Sequence, residues 1–266
     1  MALVAIYDSG VGGLSIAEHA MRQCPEHDYI FLSDTAAFPY GTKTEEEILQ
    51  RSLKLIDTLS QRFKIDVLIV ACNTASTIIL PSLRERFSFH VIGVVPAIKP
   101  AAAISKTKSI GLLATPATIS RQYTQDLIDS FASDCEVTKV GTSELVRLAE
   151  DKLSGLSFDQ SQLEKELKPL INNTKIDVLV LACTHFPLLE NDIRQCFDKL
   201  DHELRLIDSG EAIAKRLCSM LETNASNKKN TRLRNNIALT TSSNLSKALI
   251  ATLSNYGFNE LKELSV

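Results

Sequence analysis

KIDVLIVACNT, Lys64 to Thr74, and KIDVLVLACTH, Lys175 to His185, place nearly the same strand and the same terminal cysteine in two parts of one chain. Neither run alternates apolar with polar residues. An apolar run of this kind marks a strand buried on both faces, and such strands belong to parallel sheets covered by helices. LVAIYD, YIFLSD, HVIGVV, SIGLLAT, LRLIDS and NIALTT read the same way. Helical patterns lie between them. In TEEEILQRSLKLIDTLSQRF, Thr44 and Glu47 have capping-box spacing, acidic residues fill the first turn, and Leu49, Leu53 and Ile56 recur on one face. SELVRLAEDKLSG runs from a Ser143 cap to Gly155 as its C-terminal stop. Strands alternating with helices predict an α/β fold with right-handed crossovers.

The repeat extends beyond the quoted eleven residues. VAIYDSGVGGLS, ending in Ser15, and IGLLATPATIS, ending in Ser120, share a layout of strand, small polar turn and helix start. Asp8 precedes Cys72 by 64 positions and Thr115 precedes Cys183 by 68. These near-equal intervals predict two pseudo-symmetric domains, each a mainly parallel sheet flanked by helices. The first comprises residues 1–97 with 208–266 and the second residues 98–207. LRLIDSG followed by NIALTTSS is expected to complete the first sheet, and NASNKKNTR, Asn224 to Arg232, reads as an exposed polar loop. Ligands of open parallel sheets bind beyond the carboxyl ends of the strands. Cys72 and Cys183 both sit at such ends, so the expected site is a cleft between the domains, approached by one cysteine from each side.

Composition narrows the partners. A net charge of −3 gives no basic surface for nucleic acid or anionic lipid, which leaves a small molecule as the expected partner. The six cysteines form no CxxC pair and no signal peptide is legible, so the thiols are expected to be reduced and the protein cytoplasmic. No apolar run approaches the roughly 18 residues of a membrane span.

Cysteine is often a small buried hydrophobe, but the matched placement of these two asks for more. Each is followed by a polar pair, Asn73 and Thr74 or Thr184 and His185, and then by a helical segment expected to carry an early proline, Pro81 or Pro187. A helix N-terminus supplies free N–H groups that favour a thiolate and bind carboxylates. A metal site from Cys72, Cys183 and His185 lacks the usual ligand knuckles of structural zinc. A disulfide between the pair is disfavoured in a reduced compartment, although spacing leaves a redox pair open. A single nucleophilic thiol needs no matching partner. Two-sided proton transfer uses both equally: one thiolate removes a proton from a carbon and the opposite thiol delivers one to the other face, inverting a stereocentre.

DSGVGGLS at Asp8 to Ser15, DTAAFPYG at Asp34 to Gly41, ACNTAST at Ala71 to Thr77, LACTHFPLL at Leu181 to Leu189 and IDSGEAIAKRL at Ile207 to Leu217 together resemble the glutamate racemases of the aspartate/glutamate racemase superfamily. That resemblance implies two pseudo-symmetric α/β domains with the active site between them. It also implies interconversion of L- and D-glutamate without cofactor or metal, supplying D-glutamate for peptidoglycan, in an enzyme that is a homodimer. It assigns Cys72 and Cys183 as the acid/base thiols, with Asp8 assisting the first and His185 and Glu150 the second. Substrate contacts are implied for Asp8, Ser9, Tyr40, Gly41, Asn73, Thr74, Thr184 and His185, with Thr115 and Thr118 also lining the cleft. Taken alone, most of these would be turn or cap residues, and Glu150 a solvated helix carboxylate. One departure stands out: Thr142 and Ser143 replace a Cys-Pro pair common in the family before the helix that carries the glutamate. The branch resembled includes enzymes that respond to a UDP-muramyl peptide, and the first strand's position almost at Met1 counts against such regulation. No lysine stands out as a Schiff-base former for pyridoxal phosphate. Aspartate racemisation, a non-enzymatic amino-acid sensor and a single-thiol isomerase are the competing readings.

Overall fold

The computed structural model describes all residues except 158, 199–203, 224–235, 243 and 266, so the Asn224 to Arg232 segment lies outside the described residues. The chain divides into two compact units, Met1–Val94 with Gly210–Val266, and Val95–Ser209. The first unit opens with β1 (Leu3–Asp8), α1 (Leu14–Gln23), β2 (Asp28–Ser33), α2 (Glu45–Arg62), β3 (Val67–Val70), α3 (Asn73–Arg86) and β4 (His90–Gly93). The second contains α4 (Ile98–Ile104), β5 (Ser109–Ala114), α5 (Pro116–Ser120), α6 (Gln122–Phe131), β6 (Glu136–Gly141), α7 (Glu144–Leu153), α8 (Gln160–Ile171), β7 (Val178–Ala182), α9 (Glu190–Cys196) and β8 (Arg205–Ile207). The chain then returns to the first with α10 (Gly210–Thr223), β9 (Ile237–Thr240), α11 (Lys247–Asn255) and β10 (Glu260–Glu263).

Among the described residues every strand pairing is parallel, in the order β10-β9-β2-β1-β3-β4 for the first sheet and β6-β5-β7-β8 for the second. The motif β2-β1-β3-β4 therefore recurs as β6-β5-β7-β8, and the last register pair between the two central strands is Tyr7 with Val70 in the first sheet and Ala114 with Ala182 in the second. The expected α/β class and parallel sheets are present. One strand lies elsewhere than expected: LRLIDSG supplies β8, which pairs with β7 in the second sheet, while β9 joins the first sheet beside β2. Two edge strands escaped the apolar-run reading, β6 (EVTKVG) and β10 (ELKE), because an edge strand half open to solvent needs no continuous apolar run.

The cores follow from these layers. β1 is buried along its full length, and Ile30, Leu32, Leu68 and Val70 pack with Ile48, Leu55, Ile56 and Leu59 of α2. Each fully buried Ile or Leu contributes about 1.5–3 kcal/mol by leaving water. The capping box of Thr44 and Glu47 is formed. The buried face of α2 is rotated from expectation, since Leu49 and Leu53 are only half-buried while Ser52 is fully buried. Ser52 turns inward because its hydroxyl meets the phenol of Tyr7 at 2.9 Å, so a polar residue occupies the centre of the apolar stripe.

The cysteines also depart from the expected fully reduced state: Cys24 and Cys218 are joined by a disulfide, and Cys72, Cys135, Cys183 and Cys196 are free. α1 packs along α10, and Gly210 permits the approach, since a Cβ there would lie 2.5 Å from Cδ2 of His19. This packing brings the two Cα atoms to 6.2 Å, within the normal span of the bond, across a separation of 194 residues that no local spacing rule could read.

Candidate active site

In the first unit the turn after β1 is built around Asp8, which is fully buried. Its carboxylate accepts the backbone N–H of Ser9 at 2.6 Å, the Ser9 hydroxyl at 3.3 Å and the backbone N–H of Gly13. Gly13 is required there, because a Cβ would fall 2.9 Å from the Asp8 Cβ and 3.1 Å from that of Ala71. Beside this turn β3 ends and the backbone N–H of Ala71 donates to the carbonyl of Tyr7. Cys72 follows as the N-cap of α3, its Sγ accepting from the Ala75 N–H at 3.5 Å and lying 3.6 Å from the Ser9 hydroxyl. The cap places the thiol at the positive end of a helix dipole. Pro81 lies in the interior of α3 and not near its start, so the helix begins on the cysteine without help from proline.

Asn73 and Thr74 are buried in the first turn of α3. The Asn73 Oδ1 finds no hydrogen-bond partner among the described residues, which makes it an acceptor available to a donor from a bound molecule. Tyr40 opens a short 3₁₀ turn with Gly41, and its side chain is buried, the phenol donating to Asp34 at 2.6 Å. What the Tyr40–Gly41 turn offers a ligand is therefore main chain.

The second unit carries the matching arrangement. Cys183 ends the segment after β7 and is buried together with Thr184 and His185. A 3₁₀ turn at Phe186–Leu189 with Pro187 in its first positions follows, where the first unit has an α-helix. Sγ of Cys183 lies 3.8 Å from Nδ1 of His185, and Nε2 of the same ring lies 2.7 Å from Oε1 of Glu150. Burial alone would lower the His185 pKa, but hydrogen bonds to Cys183 and Glu150 and their charges outweigh it and hold it well above the usual histidine range. Thr115 caps α5, with its hydroxyl 3.0 Å from that of the buried Thr118.

Glu150 reaches His185 from α7, whose start differs from expectation. Ser143 makes no side-chain cap because its backbone is already helical; Thr142 Oγ1 instead accepts from the Glu144 N–H at 3.1 Å and the Leu145 N–H at 3.5 Å. The Thr142–Ser143 departure thus leaves α7 capped and Glu150 against His185.

The structure therefore brings Asp8, Ser9 and Cys72 together in one unit and Cys183, His185 and Glu150 together in the other. Sequence reading did not single out Asp34 beyond its place in a motif, nor Tyr7, which bonds to Tyr40, nor Arg51 and Thr241, which donate to Asp34 beside it. Their separation along the chain hid them. Among the described residues no group of three or more His, Cys, Asp or Glu is placed to hold a metal, and no helix is long and apolar enough to cross a membrane.

The Asp/Glu/hydantoin racemase family model matches residues 14–217. The chain belongs to that family. Among its racemase relatives, the glutamate racemase of Shewanella sp. (strain MR-4) is 43% identical over 98% of this chain and 96% of that protein. The glutamate racemase of Vibrio vulnificus (strain YJ016) is 50% identical over 82% of this chain and 81% of that protein. Among solved racemases, Escherichia coli glutamate racemase in complex with L-glutamate and the activator UDP-MurNAc-ala superposes with a TM-score of 0.93 at 41% identity, covering 100% of this chain and 98% of that one.

Proposed function

We propose that this chain is a glutamate racemase that interconverts L- and D-glutamate without a cofactor, through two cysteine acid/base groups, in the cytoplasm and as a homodimer, supplying D-glutamate for peptidoglycan. The observation that carries the reading is the paired equipment of the strand-end thiols: Cys72 beside the Asp8–Ser9 turn, and Cys183 beside the His185–Glu150 pair. Each thiol has its own polar partners, as a reaction run in both directions requires.

In this reading the substrate's carboxylates take main-chain N–H groups of the Tyr40–Gly41 turn and of the helix and turn starts at Asn73, Thr74 and Thr184, with Thr115 and Thr118 contributing hydroxyls. Asp8, Ser9 and Asn73 Oδ1 receive the ammonium. From one enantiomer the Cys72 thiolate removes the α-proton while the Cys183 thiol delivers a proton to the opposite face; the other enantiomer reverses the roles. Asp8 assists Cys72. His185, kept cationic by Glu150, favours the charged state of Cys183 when that thiol has given up its proton. Negative charge developing at the α-carbon is met by donors fixed in place before the reaction, which must supply most of the stabilisation for so weak a carbon acid.

The test is circular dichroism of L- and D-glutamate, and of L-aspartate, with purified cofactor-free protein, with and without UDP-MurNAc-Ala. Ellipticity decaying to zero from both glutamate enantiomers is expected, because enantiomers have equal energy in water. Racemisation of aspartate alone would keep the mechanism and overturn the substrate. No reaction under any of these conditions would overturn the activity.

A further inference from the structure

Asp34 directly follows β2 next to the Asp8 turn, where its backbone N–H donates to the Asp8 carbonyl at 2.9 Å, and its side chain is fully buried. Four side-chain donors converge on its carboxylate: Arg51 Nε at 2.5 Å and Nη2 at 2.6 Å, the Tyr40 phenol at 2.6 Å and the Thr241 hydroxyl at 2.7 Å. They come from α2, from the Tyr40–Gly41 turn and from the segment after β9. The Thr241 hydroxyl in turn accepts the Ala36 N–H at 2.9 Å, within the same loop.

A carboxylate can only accept, so the Tyr40 phenol must donate to it. The Tyr40 oxygen then accepts from the Tyr7 phenol at 2.5 Å, and the Tyr7 oxygen from the Ser52 hydroxyl at 2.9 Å. Burial pushes both phenols far up, so both remain protonated donors. The chain of hydrogen bonds has a single direction, from Ser52 through Tyr7 and Tyr40 to Asp34. Asp34 is buried and Arg51 only half-buried; an ion pair that takes a carboxylate out of water is a poor source of net stability, which leaves a geometric role for this one.

We propose that Asp34 is a positioning residue that, clamped by Arg51 and Thr241, fixes the Tyr40–Gly41 turn and the neighbouring Asp8 turn in the geometry that receives substrate. This inference rests on the racemase reading, in which the Tyr40–Gly41 main chain binds a substrate carboxylate. It extends that reading to residues that touch no substrate. Arg51 acts at one further remove, since it holds Asp34, and its own partial exposure leaves it free to turn to water if Asp34 is neutralised.

The experiment compares wild type with Asp34→Asn, Tyr40→Phe and the double variant Asp34→Asn/Arg51→Met, measuring KM and kcat from both glutamate enantiomers together with thermal midpoints. Asp34→Asn and Tyr40→Phe are expected to raise KM roughly tenfold for both enantiomers while kcat at saturation falls far less, the pattern of lost binding geometry. The double variant removes both charges; its midpoint should exceed that of Asp34→Asn while KM stays raised, a separation that a purely structural role would not give. Wild-type KM in Asp34→Asn and Tyr40→Phe, or a KM restored along with stability in the double variant, would overturn the inference. A wild-type chain that racemises and binds neither enantiomer would overturn the racemase reading and this inference with it.

Discussion

Cys72 both carries a thiol and caps α3, and substitution separates the two duties. Cys72→Ser retains an acceptor for the Ala75 N–H, whereas Cys72→Ala removes it and should cost about 1 kcal/mol of stability in urea titrations. Both should reduce racemisation by roughly 10²–10⁴-fold or more, because an alcohol is too weak an acid to replace the thiol. Equal stability of the Ser and Ala variants would contradict the cap; activity in the Ser variant would contradict the thiol. His185 makes a different prediction. Its folded-state pKa is raised above the unfolded value of about 6.5, so its contribution to stability is complete below that pH and is lost as pH rises through the folded value. Glu150→Gln removes one of the groups that raises it, so the decline of the urea midpoint above about pH 6.5 should flatten in that variant. An unchanged pH profile would show that Glu150 does not govern the imidazole.

At the scale of elements, α7 depends on a cap one residue earlier than the obvious serine. Thr142→Ala should lower stability by about 1 kcal/mol, while Ser143→Ala should change it little, and urea midpoints of the two variants decide between them. The same helix shows what sequence could and could not convey. Gly155 was legible as its stop and has φ of 78°, with its N–H donating to the Lys152 carbonyl. The contact between Glu150 and His185 was not legible from periodicity, since it joins two elements 35 residues apart; only the family motif pointed to it. Buried strands announced themselves through uninterrupted apolar runs, while β6 and β10, at sheet edges, carry too many polar residues to do so. On α2 the inward Ser52 disguised the buried face, because a residue buried for a hydrogen bond cannot be recognised by an apolar pattern.

For the molecule as a whole, the repeated strand order β2-β1-β3-β4 and β6-β5-β7-β8 gives physical form to the two near-identical sequence stretches. Each copy delivers its cysteine one or two residues past the end of its third strand. The disulfide lies outside this repeat and ties the first helix to the returning C-terminal portion of the same unit. Thiol titration of the denatured chain should therefore find four reactive cysteines before reduction and six after it. Replacing Cys24 and Cys218 by serine should cost about 2–4 kcal/mol of stability. Six reactive thiols before reduction would contradict the bond. The two-thiol account itself is tested by incubating L-glutamate with the enzyme in D2O and following the α-hydrogen of both enantiomers by NMR at early times. Deuterium should appear in the D-glutamate formed while the remaining L-glutamate keeps its protium, because one thiol removes the hydrogen and a different, solvent-equilibrated thiol replaces it. Protium carried into the product, or deuterium appearing equally fast in recovered L-glutamate, would contradict a mechanism with one base on each face.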